Sequence, residues 1–138
     1  MTLEQGLVLA GRVIMGGYFA FTGLNHFLQD DSMSGWIEAK GYPMPEVLNY
    51  FAGGLLLMAG LDLILGTFPA TAWGALTLFL VVASIGFHDF WNLEGEERQN
   101  HMTHFLKNLG LIGGLAFFAV LVAQGDIGPV ALEISLLT

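Results

Sequence analysis

The stretch ATAWGALTLFLVVASIGF, residues 70–87, contains no charge and runs directly into His88 and Asp89. About 20 consecutive apolar residues carry a helix across a bilayer, and this run is close to that length. Three further runs, residues 7–24, 47–66 and 105–123, are similar, with Arg12, Asp62 and Lys107 as their internal charges. The four runs predict an all-α membrane protein, an antiparallel bundle of four transmembrane helices. The spans fall at about 5–27, 46–67, 70–91 and 102–124, so residues 1–138 read as one four-helix transmembrane domain. Because the chain alternates direction, the end of span 1, the start of span 2, the end of span 3 and the start of span 4 share one face. His26, His88, His101 and His104, the four histidines of the chain, all fall there.

Composition agrees with a membrane protein. Charged residues make up 12% of the chain, against about 25% in a soluble domain. The formal charge of −8 makes nucleic acid an unsuitable partner; the four apolar runs make the lipid bilayer the expected environment. Cysteine is absent, which excludes disulfides, thiol relays, thiolate-held iron–sulfur clusters and covalent haem. The N-terminus carries Glu4 and no basic region, so span 1 is expected to remain in the mature protein. Lys40, Arg98 and Lys107 lie on the histidine face and Arg12 toward the other. The positive-inside rule then favours a cell-membrane protein with its histidine face in the cytoplasm.

Between spans 1 and 2 the sequence predicts a short interfacial helix over about 32–41, capped by Ser32 or Ser34 and ended by Gly41. Trp36 and Tyr42 suit the headgroup level there. Pro45 fits the first turn of span 2. In span 4, Gly110-x-x-x-Gly114 is a small-x-x-x-small pattern that weakly marks a helix contact, and Gly-rich faces suit a protein partner or a second copy. The apolar tail, about 127–138, is too short to cross and reads as lying on the membrane surface or on a partner.

Arg12 and Asp62 lie at similar depth near the face opposite the histidines, at about 1.5 Å of rise per residue. A lone charge deep in a span costs about 2.5–3.5 kcal/mol on insertion scales, so the two are expected to form a structural ion pair, with an anion or proton site as the alternative. On the histidine face, Ser84, His88 and Asn92 form one helical stripe, and His101, His104 and Asn108 another, with Lys107 beside it. Asn25 and His26 end span 1. Asn25, His26, His88, Asp89, His104, Lys107 and Asn108 are therefore the candidate ligand-binding residues, while His101 is expected farther out, in the polar link.

Four readings of that rim compete. The plainest is a solvated network of interfacial histidines. A quinone headgroup fits next, with histidine, lysine and asparagine bonding its oxygens and Phe87, Phe90 and Trp91 forming a flat wall. A transition metal would suit imidazole, although no dense ligand motif occurs. A b-type haem held by His88 and His104 is the last; it and a metal rank below quinone.

Specific segments carry a resemblance. Gly11-Arg12-Val13-Ile14-Met15-Gly16, Phe21-Thr22-Gly23, Gly41-Tyr42-Pro43, Gly86-Phe87-His88-Asp89-Phe90 and Phe105-Leu106-Lys107-Asn108-Leu109-Gly110 occur in an order that resembles the DoxX family of small four-helix membrane proteins. The resemblance implies a membrane subunit associated with redox systems, since its namesakes belong to a thiosulfate:quinone oxidoreductase. A distant relative, the surfeit-locus cargo-receptor family, works in protein export. The expectation is a membrane subunit of a quinone-linked redox complex, with the catalytic part supplied by another protein. The alternative is a non-catalytic assembly or transport protein without a cofactor.

Overall fold

A computed structural model describes residues 1–128. They form five α-helices, α1 (Leu3–Leu28), α2 (Asp30–Ala39), α3 (Pro45–Leu65), α4 (Pro69–Phe87) and α5 (Gly95–Gln124), with a 3₁₀ turn over Phe90–Asn92. Four segments, Leu3–Leu28, Pro45–Leu65, Pro69–Asn92 and Gly95–Gln124, are long and apolar enough to cross a membrane. The expected tail beyond Gly128 lies outside the described residues.

Local chemistry sets the helix ends. Thr2 and Gln5 open α1 with a reciprocal capping box: Gln5 N donates to Thr2 Oγ1 at 3.2 Å and Thr2 N to Gln5 Oε1 at 3.0 Å. Glycines in the left-handed region, at φ 72° and 71°, end α3 and α5 at Gly66 and Gly125. Pro45 and Pro69 stand in the first turns of α3 and α4.

The start of α2 differs from expectation. Neither Ser32 nor Ser34 is its cap. The helix begins at Asp30 after the single non-helical residue Gln29, because α1 runs on to Leu28 and leaves no loop. Asp30 and Asp31 then occupy the first turn, where the helix dipole favours negative charge. The Ser34 hydroxyl donates instead to Asp30 Oδ1 at 2.8 Å.

α1 and α3 pack backbone against backbone. A Cβ added at Gly16 would lie 2.5 Å from Gly60 O, and one at Gly23 would lie 2.5 Å from Leu57 N. With little hydrophobic drive between helices in lipid, this close approach supplies the packing. The glycine contact is therefore between spans 1 and 2. At Gly110 a Cβ would meet nothing within 4 Å, so the pattern in α5 is not a helix seam at that residue.

From this pair the bundle continues through α4 to α5, and α2 folds over α3 and the end of α1. Among the described residues α1 and α5 share no close backbone contact. They meet through side chains, with Lys107 Nζ 5.9 Å from the centre of the Tyr18 ring. Phe19, Leu56, Leu63, Leu76, Leu80 and Leu115 fill the core. Ile14, Ile85 and Phe117 are exposed, as lipid-facing side chains are. The gap that side chains leave between α1 and α5 helps open the cavity described next.

Topology gives a direct prediction. In this cysteine-free chain, Thr2→Cys and Asp126→Cys should react with an impermeant thiol reagent from one side of sealed vesicles, and Gln99→Cys from the other. Labelling of residues 2 and 126 from opposite sides would contradict the antiparallel arrangement.

Candidate functional site

A cavity of about 710 Å³ opens at the end of the bundle where α2 lies. Small-ligand pockets usually hold about 300–1,000 Å³. Its lower wall is apolar: Phe19, Leu55, Leu56, Phe79 and Leu80 come from α1, α3 and α4. Its polar side chains concentrate at one end. His26, His88, His101, His104, Lys107 and Asn108, from α1, the residue after α4, and α5, all line it.

Three of the histidines cluster. The rings of His88 and His104 stack at 4.9 Å between centroids and 13° between planes, and His101 lies 5.5 Å from His88. His101 Nδ1 donates to Phe87 O at 3.0 Å, tying α5 to the end of α4. Nδ1 of His88 is buried with no hydrogen-bond partner among the described residues. His101 is thus part of the cluster rather than of an outlying link. The reason is helix length: α5 starts at Gly95, so His101 is already within a formed helix.

Trp36 covers the cluster. Its ring lies 5.2 Å from Phe87, 5.6 Å from His88 and 6.2 Å from His101. Tyr42 packs on Phe87 at 5.1 Å and its hydroxyl donates to Gly86 O at 3.3 Å. The sequence predicts both aromatics at the headgroup level; in the fold they roof a cavity. The available signal was the shortness of the link, which keeps the connecting helix against the rim.

His26 stands apart in its own network. Asn49, fully buried, donates through Nδ2 to His26 O and to Asp30 Oδ1, each at 2.8 Å. Its Oδ1 must then face His26, whose Nδ1–H donates to it at 2.7 Å. Tyr50 Oη donates to Asp30 Oδ2 at 2.6 Å. Hydrogen bonds from Tyr50, Ser34 and Asn49 hold the Asp30 carboxyl below the usual carboxylate range. Asn49 was missed in the sequence, where it is a lone amide in an apolar run.

Of the seven expected site residues, the cavity wall contains five: His26, His88, His104, Lys107 and Asn108. Asn108 is buried and donates to Ser84 Oγ at 3.2 Å. Asn25 and Asp89 are half-buried outside that wall. Asp89 instead pairs with Lys40 at 2.5 Å and accepts from Asn92 at 3.1 Å, clamping the end of α2 to the end of α4.

A family model, DoxX, matches residues 7–89. This chain belongs to the DoxX family. The match runs from within α1 to just past the end of α4, including His26 and His88; α5, with His101, His104, Lys107 and Asn108, lies beyond it. This DoxX protein is a multi-pass membrane protein, and its family is generally associated with redox-related membrane complexes. Searches of curated proteins and of solved structures find no match.

Two further ligand classes can be weighed in this DoxX chain. Among the described residues no group of three or more His, Asp or Glu side chains is arranged to hold a metal. Bis-histidine haem ligation needs two nitrogen lone pairs facing each other along one line. The near-parallel stack of His88 and His104 directs those lone pairs sideways, in the ring planes.

Arg12 and Asp62 are not brought together as a pair. The guanidinium donates to Leu63 O, Ile64 O and Ile127 O, each at 2.8 Å. Asp62 accepts from Thr67 Oγ1 at 2.7 Å. Arg12 reaches the carbonyls that α3 leaves unsatisfied at its C-terminal end, and five guanidinium donors suit several carbonyls better than one carboxylate.

Proposed function

We propose that this protein is the membrane subunit of a redox complex and holds a quinone-type headgroup in the histidine-lined cavity. The observation that carries this reading is the convergence of four histidines, Lys107 and Asn108 on the wall of one largely apolar cavity. Concave, largely apolar sites with a few convergent polar groups are what small rings bind. Trp36, Tyr42 and Phe87 offer flat surfaces for a ring. Lys107, His88 and His104 offer hydrogen bonds to its oxygens. The long apolar wall suits an isoprenoid-like tail that enters from lipid. Electrons reach the ring from a protein partner, whose docking the exposed surface of α2 and of the link before α5 would serve. The cell membrane, with the histidine face in the cytoplasm, is the location this reading favours.

The test is equilibrium binding of a short-chain benzoquinone to the purified protein in nanodiscs. His88→Ala, His104→Ala and Lys107→Met should each weaken binding at least tenfold, about 1.4 kcal/mol, with thermal unfolding little changed. Asp62→Asn, at the far end, should bind as the natural chain does. Absence of saturable binding, with a tightly held protein partner instead, would favour an assembly or transport role.

A further inference from the structure

We infer that the cavity selects the reduced, dihydroxy form of a quinone-type ring over its oxidised, dicarbonyl form. This rests on the binding reading above and adds which redox form the site is built to hold.

His26 and His101 both line the cavity. Each has its Nδ1 committed to a protein acceptor: Asn49 Oδ1 for His26 and Phe87 O for His101. Neither acceptor can reverse its role. Phe87 O is a backbone carbonyl, and the Asn49 amide is locked because its Nδ2 serves His26 O and Asp30 Oδ1. A neutral imidazole carries one N–H and one lone pair. With the proton held at Nδ1, both rings present Nε2 as an acceptor.

Two fixed acceptors in one cavity call for a ligand that donates. A hydroquinone hydroxyl donates to an imidazole Nε2, and its oxygen can still accept a hydrogen bond. A quinone oxygen only accepts, so it serves a donor such as Lys107 but leaves the two imidazole lone pairs without a proton. Sites built to bond a hydroxyl reject an analogue that lacks it, because the buried partner is left unmade. Asn49 is then a positioning residue: it acts on the ligand through His26.

The experiment compares a short-chain benzoquinone with its hydroquinone, under anaerobic conditions at about pH 8, where an ordinary imidazole is neutral. The hydroquinone should bind at least tenfold more tightly. Asn49→Leu, which frees the His26 ring, should reduce that ratio. Nitrogen-15 NMR of the ligand-free protein should show His26 and His101 as the Nδ1-protonated tautomer, a readout that needs no ligand and no variant. Equal affinity for the two forms, or tighter binding of the quinone, would overturn this inference while leaving the binding reading intact. Failure of both forms to bind would overturn both. Nε2-protonated rings at residues 26 and 101 would overturn the inference whatever the affinities.

Discussion

Gly60→Ala should drive α1 and α3 apart and leave little stable protein. The new methyl would lie 2.5 Å from Ala20 N, 2.6 Å from Gly16 O and 3.0 Å from Ala20 Cα. All three are backbone atoms, so no side chain can swing aside to make room. Overpacking a tight core costs about 1–3 kcal/mol, and a clash confined to backbone belongs at the top of that range. Gly54→Ala is the control. It lies on the same helix, and a Cβ there meets nothing within 4 Å. It should be neutral or stabilising by up to about 1 kcal/mol, because alanine favours helix over glycine. Reversible unfolding in mixed micelles measures both. Equal stability of the two variants would show that α1 and α3 do not pack on these glycines.

Arg12→Met should be the second severe change. Among the described residues it removes charge-assisted bonds to Leu63 O, Ile64 O and Ile127 O, at one end of the bundle. In soluble proteins such bonds contribute about 1.5–3 kcal/mol each, while hydrogen bonds in membranes average about 0.6 kcal/mol. A loss of about 2–5 kcal/mol lies between the three-bond sums on these two scales. Arg12→Lys should recover only part of it, since an ammonium lacks the planar fork that reaches several carbonyls. Asp62→Ala should cost much less, and its effect should add to that of Arg12→Met. A strong coupling between the two substitutions would restore the ion pair that the sequence suggests.

That reassignment shows what the sequence does and does not carry. The four spans are legible because run length and hydropathy act on each helix separately. Alternation of direction then brings the histidines to one end without any knowledge of packing. Partners made of backbone are not legible in the same way. Every residue has a carbonyl, so nothing in the chain marks Leu63, Ile64 and Ile127 as the acceptors of Arg12. Asp62 was the visible partner only because it is charged. The seam between α1 and α3 is hidden for a related reason. There are 19 glycines, and only the relative position of two helices decides which of them touch.

The cavity shows the same division. His88, His104, Lys107 and Asn108 fall on stripes whose spacing is readable as helical. Asn49 and Asp30 are 19 positions apart, and their contact depends on α2 folding back over α3. Lys40 and Asp89 are paired across 49 positions for the same reason. The sequence places Asp89 on the rim as a polar residue beside His88. The fold turns it outward to clamp α2, and Trp36 covers the histidines in its place.

The claim at the centre of this account is that the histidine-lined cavity is where a quinone-type ring binds. Photocrosslinking tests it most directly, with an azido-benzoquinone bearing a short tail, the protein in nanodiscs, and peptide mapping of the labelled residues. The account predicts labelling of Trp36, His88 and the first turns of α5 around His101 and His104, competed away by unlabelled ring compound. Labelling spread over lipid-facing residues such as Ile14 and Phe117, and unaffected by competitor, would contradict it.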